Sequence, residues 1–312
     1  MNEALVSIVI ATNRHGKFLG EALDSVSQQT YPHWEIVIVD DGAPDPAAVD
    51  AIVEGRPKVR VIHQTNAGVS TARNVGVAAS AGSLLAFLDD DDVWTPRRLE
   101  FQIGSLRSNA GAIAAYGRMR GINTDGIQIA PADQQEATDI RSIRRRLVAP
   151  IFGTLLVQRT AFERVGGFHP AFSHAEDLDL ILRLVEEGEL VFVDVDLGGY
   201  RLHRENVTLD KRATAEGVRA VLGVHRFRAR RRGDLVAVGD LKAGLRRNRM
   251  FGAWVASGQV KTDIRKHRWW DAGRDAIWGI GFAREAPILR LWEIVRTGRI
   301  SRRAPESRRT VH

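Results

Sequence analysis

The first ninety residues alternate between continuous apolar segments and segments with helical periodicity. The apolar segments, each of which predicts a buried strand, are residues 6–10, 35–39, 59–62 and 84–88. Helices are predicted between them, at about residues 16–29 and 68–79. Strands that are apolar throughout and separated by helices are typical of a parallel sheet with both faces covered. We therefore predict an α/β fold with a mostly parallel sheet flanked by helices.

Polar side chains follow three of these predicted strands at the point where each strand ends. Thr12 follows the first strand, Asp40 and Asp41 follow the second, and the four aspartates at 89–92 follow the fourth. Neighbouring carboxylates that are partly removed from water raise each other's pKa values or recruit a cation. Mg²⁺ and Mn²⁺ prefer oxygen ligands and keep coordination positions for substrate phosphates. One acidic strand end is typical of a solvated turn, but three polar ends at one sheet edge predict a ligand site.

The pattern is less regular beyond residue 90. Thr95 followed by Pro96 predicts the N-cap and first turn of a helix. The polar residues 121–139 predict a loop, and residues 176–187 predict a helix. Further strands are predicted at residues 112–116, 154–158, 190–193 and 197–201.

Two parts of the chain carry opposite net charge, −8 over residues 1–209 and +15 over residues 210–312. We interpret the first part as a catalytic domain and the second as a mostly helical, Arg/Trp-rich extension. Helix starts are predicted at Asp234 and Arg284, and residues 299–312 are predicted to be disordered. An acidic body with a basic extension predicts a cation-dependent site in the body and an anionic partner surface for the extension.

The 312 residues include no cysteine, which excludes a disulfide framework and thiolate chemistry. The N-terminal residues lack a leader pattern, and no apolar stretch approaches the roughly 18 residues needed to span a bilayer. We therefore expect a cytoplasmic protein.

Motifs in residues 5–209 resemble, in order and spacing, those of the family 2 glycosyltransferases. The matching stretches are residues 6–12, 27–31, 35–42, 66–76, 87–94, 165–168, 176–177 and 200–203. The resemblance implies the GT-A fold and an inverting enzyme that uses a nucleotide-diphosphate sugar, with a UDP- or dTDP-sugar as the expected donor. The Gln-x-x-Arg-Trp signature of processive members is absent, so we expect transfer of a single sugar. The acceptor would be a glycan, a lipid-linked glycan or a cell-envelope polysaccharide precursor.

The same resemblance implies roles for individual side chains at the strand ends. Asp89 and Asp91 match the Asp-x-Asp motif, which helps to hold Mg²⁺ or Mn²⁺ and the diphosphate of the donor. The remaining residues expected to bind the nucleotide sugar are Thr12, Asp40, Asp41, Arg73 and Asp90. An arginine suits a phosphate there because its guanidinium stays charged and offers a planar fork of donors.

A general base can be argued from the helix predicted at 176–187. Leu178, Ile181, Leu182 and Val185 form its apolar stripe. Asp177 lies on the flank of that stripe, whereas Glu176 aligns with Asp179 on the polar side. Partial desolvation would raise the pKa of Asp177 and suit it to take a proton from an acceptor hydroxyl. The family's base also matches Asp177, although a solvated acid in a first helical turn remains the alternative.

Three further residues have two possible interpretations each. The resemblance implies that Arg201 and His203 contact the metal or the diphosphate, while a histidine near a strand end is often structural. We keep His203 as a candidate metal ligand. Trp94 is either a packing residue or a platform for a sugar.

Tryptophans interleaved with arginines in the extension are typical of a membrane interface with anionic lipid. Peripheral contact with the inner face of the cell membrane is one interpretation, and packing of the extension on the catalytic domain is the other.

A nucleic-acid-binding protein is the alternative function, but this function leaves the acidic strand ends unexplained. We therefore expect no nucleic-acid partner. No glycine-rich phosphate loop supports a nucleotidyltransferase or a dehydrogenase, and the filled acidic positions disfavour a non-catalytic sugar binder.

Overall fold

A computed structural model describes most of the chain. The described residues are 3–14, 17–137, 139–148, 151–204, 206 and 209–283. The strands are β1 Val6–Thr12, β2 Trp34–Asp41, β3 Val59–Gln64, β4 Leu84–Phe87, β5 Val93–Trp94, β6 Ala112–Ile122, β7 Gln128–Ala130, β8 Leu156–Gln158 and β9 Glu189–Arg201. The helices are α1 Leu19–Ser27, α2 Pro46–Val53, α3 Val69–Ala79, α4 Arg98–Ser108, α5 Ile140–Arg144, α6 Arg159–Arg164, α7 Glu176–Glu187, α8 Lys211–Arg231, α9 Leu235–Arg265 and α10 Trp269–Phe282. A 3₁₀ turn at Phe152–Thr154 precedes β8.

The described strands form one sheet in the order β3-β2-β1-β4-β8-β6-β9-β5, with β7 paired to β6. β1, β2, β3 and β4 are parallel to their neighbours in this group. β8 runs antiparallel to both β4 and β6, and β5 runs antiparallel to β9. The predicted α/β sheet with flanking helices is confirmed, with its parallel half in the first ninety residues.

The order of the strands places the predicted ligand edge at a switch point. From β1 the chain moves outward to β2 and β3, and then returns to the other side of β1 as β4. Ligands of open α/β sheets bind at such a crevice, outside the carboxyl ends of the strands. Thr12 is opposite Asp40 in the β1–β2 register, and the aspartates at 89–92 follow β4 on the other side of β1. The polar strand ends are therefore neighbours, as predicted.

Two large hydrophobic clusters pack the two faces of the sheet. One joins inward side chains of β1 and β2 to α1 and α4. The other joins β4 and β8 to α7 and also includes Val218 and Leu222 of α8 and Leu241 of α9. The C-terminal helices thus bury apolar side chains in the same cluster as the catalytic part. This arrangement agrees with the packing interpretation of the extension.

Ionic contacts reinforce the attachment of the C-terminal helices. Asp240 of α9 is buried and accepts from Arg141 at 3.0 Å and from Arg145 at 2.5 Å. Arg232, in the arginine-rich end of α8, pairs with Glu186 of α7 at 3.0 Å. A Cβ atom at Gly244 would overlap the carbonyl of Arg144, so α9 lies directly on this segment. None of the described helices is both long enough and apolar enough to traverse a lipid bilayer.

Several local predictions are wrong. Thr95 does not cap α4: the helix begins at Arg98, and the Thr95 hydroxyl instead donates to the carbonyl of Asp196 at 3.1 Å. The two strands predicted at 190–193 and 197–201 form the single strand β9, because β6 pairs along both. Residues 121–139 include the end of β6 and all of β7.

The helix start at Asp234 is confirmed, because its carboxylate accepts from the backbone N–H of Ala237. The start predicted at Arg284 and the disorder predicted at 299–312 lie outside the described residues.

Candidate active site

Asp91 and His203 meet at the edge of the sheet. Asp91 lies in the turn after β4, and His203 lies two residues beyond the end of β9. The Asp91 Oδ2 and His203 Nε2 atoms are 2.8 Å apart, and Arg14 Nη2 lies 3.6 Å from the same carboxylate. Burial and the charge of Asp89 raise the pKa of Asp91, while the hydrogen bond with His203 opposes that shift. The structure brings these two candidate metal ligands together.

Asp90 lies beside the end of β1. Its carboxylate accepts a hydrogen bond of 2.6 Å from the Thr12 hydroxyl, and Arg14 lies 3.8 Å away. Burial raises the pKa of Asp90 to about 6, although the Thr12 hydrogen bond opposes this shift. Thr12 and Asp90, both expected at the donor site, are therefore in direct contact.

Arg201 supports the acidic turn from inside. Its side chain is fully buried. Its Nε donates to the carbonyl of Asp91 at 2.8 Å, and its backbone N–H donates to Asp92 at 2.9 Å. Nη2 pairs with Glu21 at 2.6 Å, and the guanidinium lies 4.3 Å from the ring centroid of Phe18. These contacts make Arg201 a positioning residue for the turn that carries Asp91.

Arg73 joins the acidic turn to the start of α7. One Nη donates to Asp89 and the other to Glu176, each at 2.8 Å. The guanidinium is buried between the rings of Phe152 and Phe168, with centroids 4.7 and 5.4 Å away. Arg73 therefore fixes the position of two carboxylates at the site. Its direct contact with the donor stays a prediction.

Asp177 lies in the first turn of α7, two residues after Ala175, whose backbone is left-handed with φ 63°. Its Oδ1 accepts from the backbone N–H of Leu178 at 2.7 Å. Burial raises the pKa of Asp177; the Leu178 hydrogen bond and the charge of Arg73 oppose this shift, and the charge of Asp89 adds to it. The raised pKa agrees with the desolvation predicted for this carboxylate. Arg73 pairs with both Asp89 and the neighbouring Glu176, which places the start of α7 beside the acidic turn.

The prediction that Asp179 lies on an exposed polar side of α7 is wrong. Asp179 is fully buried, because α8 covers this face of the helix. Its carboxylate accepts from Arg183 at 2.6 Å and contacts Nε2 of His225 at 2.8 Å. Burial also raises the pKa of Glu176, even though Arg73 pairs with it. Desolvation alone therefore does not show which of Glu176 and Asp177 is the candidate base. The two differ because Glu176 is paired with Arg73.

Asp40 and Asp41 are buried and organise loops at the end of β2. Asp40 accepts from the backbone N–H of Ala43 at 2.7 Å and contacts Nδ1 of His63 at 2.8 Å. Both Asp41 oxygens accept backbone N–H groups in the loop before α3, at 2.7 and 2.9 Å. Their predicted contact with the donor base stays a prediction.

Trp94 is a packing residue, because it is buried with the Arg98 guanidinium 3.8 Å from its ring centroid.

The donor set at Asp91 and His203 fits a divalent cation. Neighbouring ligands of an octahedral ion lie about 3 Å apart, since each is about 2.1 Å from the ion. The 2.8 Å between Asp91 Oδ2 and His203 Nε2 matches that spacing. Within the described ranges, no group of three or more His, Cys, Asp or Glu side chains is arranged so that it could hold a metal ion. Mg²⁺ commonly uses one or two protein carboxylates together with substrate phosphates, so two protein donors are sufficient.

Comparison with known proteins identifies the family. The sequence profile described as "Glycosyl transferase family 2" matches residues 7–166, half of the chain. The chain belongs to glycosyl transferase family 2. This family membership confirms the resemblance seen in the sequence, and the matched region contains the strand ends from Thr12 to the aspartates at 89–92.

Two relatives illustrate the extent of the sequence similarity. An uncharacterized glycosyltransferase of Rickettsia felis is 28% identical over 209 residues, 64% of this chain and 35% of that protein. The Escherichia coli UDP-Glc:alpha-D-GlcNAc-diphosphoundecaprenol beta-1,3-glucosyltransferase WfgD is 25% identical over 214 residues, 68% of this chain and 82% of that protein. The first curated relatives are matched over 30–66% of their own length.

Solved structures confirm the GT-A type of fold. S. aureus TarS 1–349 in complex with UDP-GlcNAc has a TM-score of 0.66 at 16% identity, covering 96% of this chain and 93% of that one. The mannosyltransferase PcManGT from Pyrobaculum calidifontis, in complex with GDP-Man and Mn²⁺, has a TM-score of 0.62 at 16% identity, covering 96% and 80%.

The structure adds residues that sequence reasoning missed. Arg14 pairs with the acidic turn, and Phe18 packs against both His203 and Arg201. The position of Arg14 among the polar residues that follow β1 was visible in the sequence, but its pairing with the aspartates after β4 was not. No local signal marks His225, because its contact with Asp179 joins residues 46 positions apart.

Proposed function

We propose that this protein is an inverting glycosyltransferase that moves one sugar from a nucleotide-diphosphate sugar to an acceptor hydroxyl. One observation carries the proposal: Asp177, a half-buried carboxylate with a raised pKa, follows Glu176, and Arg73 joins Glu176 to Asp89 at the acidic strand end. A proton acceptor and a phosphate-binding edge in one cleft are the two parts that this reaction needs.

Asp177 takes the proton from the acceptor hydroxyl as that oxygen attacks the anomeric carbon. The attack comes from the face opposite the leaving nucleoside diphosphate, so a single displacement inverts the configuration. The resemblance assigns no second carboxylate as a nucleophile, in contrast to retaining chemistry with two carboxylates. Arg73 keeps Glu176 and Asp89 in place on either side of this reaction centre.

Asp91 and His203 are the residues that would hold Mg²⁺ or Mn²⁺, with Asp89 as a further candidate. When bound, the ion would neutralise the charge that develops on the departing diphosphate. Arg201 fixes the backbone of Asp91, and Arg14 places a second positive charge beside it. Thr12 and Asp90, with Asp40 and Asp41 next to them, line the side of the cleft where the nucleoside is expected.

The relatives guide the choice of substrates. WfgD is named for UDP-Glc and a GlcNAc-diphosphoundecaprenol acceptor, and TarS was solved with UDP-GlcNAc. We therefore propose a UDP- or dTDP-sugar as donor and a lipid-linked glycan or cell-envelope polysaccharide precursor as acceptor. A cytoplasmic site of action remains our expectation.

The decisive experiment measures release of nucleoside diphosphate from a panel of UDP-, dTDP- and GDP-sugars, with Mn²⁺, Mg²⁺ or EDTA. GlcNAc 1-diphosphate carrying a short alkyl chain serves as acceptor. We expect metal-dependent release with at least one donor and a product of inverted anomeric configuration by NMR. Release that is unaffected by EDTA, or a product that keeps the donor's configuration, would contradict the proposal.

We also propose peripheral contact of the extension with an anionic membrane. Supporting this, Trp270, Ile277 and Ile280 of α10 share one helix face and are 94%, 74% and 69% exposed. On α8, Arg228 and Arg231 border a shallow concave surface with the exposed Phe227. Apolar side chains beside arginines suit a membrane interface with anionic lipid.

A flotation assay with phosphatidylglycerol vesicles at low salt tests this contact. Trp270→Ser should reduce binding, whereas Ile129→Ser, which changes an exposed apolar residue of β7, should not. Equal binding of wild type to neutral and anionic vesicles, or no binding to either, would refute the proposal.

A further inference from the structure

Four arginines lie in the short segment around α5, and three of them have carboxylate partners. Arg141 and Arg145 pair with Asp240, and Arg144 pairs with Glu186. Arg146 differs, because within the described part of the chain no carboxylate lies within 4 Å of its guanidinium. Its Nη1 donates instead to the neutral side-chain oxygen of Asn248, at 3.0 Å. A partly buried guanidinium with a neutral partner keeps its charge available to a ligand.

The position of Arg146 is fixed by α9. Asn248 is buried, and its Nδ2 donates to the carbonyl of Ala215 in α8 at 2.7 Å. Since the amide nitrogen is occupied in this way, the amide oxygen must face Arg146. The backbone of Arg146 is left-handed, with φ 54°. Such a conformation costs about 1–2 kcal/mol for a residue with a Cβ and is kept only where the surrounding structure imposes it.

A series of contacts places Arg146 near the start of the helix that carries Asp177. Asn248 joins Arg146 to the carbonyl of Ala215 in α8, and a Cβ atom at Gly217 of α8 would overlap the backbone of His174, three residues before Asp177. Burial lowers the pKa of the Arg146 guanidinium, and the charge of Asp177 opposes that shift. Within the described residues, the two side chains form no ion pair with each other. An acceptor hydroxyl must reach Asp177 to be deprotonated, so another group of the same acceptor can contact Arg146.

We propose that Arg146 is a specificity-determining residue that binds a phosphate group of the acceptor, and that Asn248 is its positioning residue. This inference rests on the proposed transferase function and specifies the chemical class of its acceptor. A guanidinium presents its donors as a planar fork that suits phosphate oxygens, and the remaining N–H groups of Arg146 can provide that fork. The phosphate can belong to a lipid-linked glycosyl phosphate or to a phosphate-containing polymer.

Calorimetry on the full chain saturated with UDP and Mn²⁺ tests the assignment, because UDP blocks the donor site. The probes are GlcNAc 1-phosphate and the neutral methyl α-glycoside of GlcNAc. We expect Arg146→Gln to weaken binding of GlcNAc 1-phosphate by about 10- to 100-fold and to leave binding of the methyl glycoside unchanged. Arg146→Lys should recover part of the loss. Arg145→Gln, which removes the same charge one residue away, should change neither affinity.

Asn248→Leu tests whether Asn248 acts by positioning Arg146 and not by contacting the acceptor itself. It should raise the KM for the alkyl GlcNAc diphosphate by about 5- to 20-fold with little change in kcat, since the charge remains but is no longer held. A comparison of a short-chain lipid diphosphate with a soluble glycerol-phosphate glycoside shows which source of phosphate is preferred.

Three results would overturn the assignment. The first is equal loss of affinity for the charged and neutral probes in Arg146→Gln at unchanged melting temperature. The second is unchanged affinity for both probes in that variant. The third is a wild-type enzyme that turns over donor but binds GlcNAc 1-phosphate no better than the methyl glycoside. A different result is expected if the transferase proposal itself is wrong. The wild-type protein would then fail to bind UDP with Mn²⁺, or would release no UDP from any donor.

Discussion

Asp177→Asn is the substitution that separates chemistry from donor binding. The change keeps the shape of the side chain and removes its ability to accept a proton. A positioned general base contributes about 10²- to 10⁴-fold to rate, equivalent to about 3–5 kcal/mol of activation free energy. Donor affinity should be preserved or slightly improved, because the negative charge of Asp177 acts on Asp89 in the acidic turn.

The pH dependence gives an independent measure of the same residue. Burial raises the pKa of Asp177 above the value of about 3.9 for an exposed aspartate. The base works only when deprotonated, so kcat of wild type should fall as the pH falls through this raised pKa. That decline should occur at higher pH than for an exposed carboxylate. It should be smaller in Asp177→Asn, where other carboxylates with raised pKa values, such as Asp90, Asp91 and Glu176, remain.

The assay measures nucleoside diphosphate release against pH and, separately, donor binding by calorimetry with Mn²⁺. Glu176→Gln is the matched control, since it neutralises the adjacent carboxylate that pairs with Arg73 at 2.8 Å. Glu176→Gln should retain the acidic decline even if turnover is lower. The assignment is refuted if Asp177→Asn keeps full transfer, or if the decline disappears in Glu176→Gln and persists unchanged in Asp177→Asn.

Three further substitutions test other parts of the structure. Asp91→Ala should abolish metal-dependent turnover at millimolar Mn²⁺, measured by diphosphate release, because it removes one of the two donors at this position; full activity would contradict the ligand assignment. Asp179→Ala should lower the free energy of unfolding by about 3–5 kcal/mol in urea titrations, since it leaves Arg183 and His225 without their buried carboxylate. Burial alone would raise the pKa of Asp179, but the His225 hydrogen bond and the Arg183 charge lower it; its stabilising effect should therefore persist at neutral pH and be lost only as the pH falls through that lowered pKa. Gly76→Ala should destabilise the protein by about 1–3 kcal/mol in the same titration, because the new Cβ would overlap a methyl group of Val9 under α3.

Local patterns predicted most of the parallel half of the sheet. β1, β2 and β4 are mostly apolar and buried, and burial on both faces requires that composition. The helix at Glu176–Glu187 was predicted with its observed bounds, because its apolar stripe is regular. Thr95 was assigned wrongly as a cap, because its hydroxyl has a partner in β9 about 100 residues away, which no local pattern contains.

The candidate site was predictable where function depends on strand ends, and not where it depends on distant contacts. The Asp91–His203 pair was expected from motif positions, and the structure brings the two atoms to 2.8 Å. The full burial of Asp179 was not expected, because the covering residue His225 belongs to a helix outside the family motifs. The Arg146–Asn248 contact spans 102 positions and has no periodic or compositional signal.

These two distant contacts are the reason why we propose that the extension contributes to the active site. The family profile ends at residue 166, and the matching motifs end near His203, yet the helix that carries Asp177 is held from beyond both limits. His225 of α8 contacts Asp179, two residues after the base and on the same helix. Asn248 of α9 holds Arg146, for which we propose contact with the acceptor. On these proposals, donor binding depends on the family motifs, whereas the position of Asp177 and the selection of the acceptor depend on the helices that follow them.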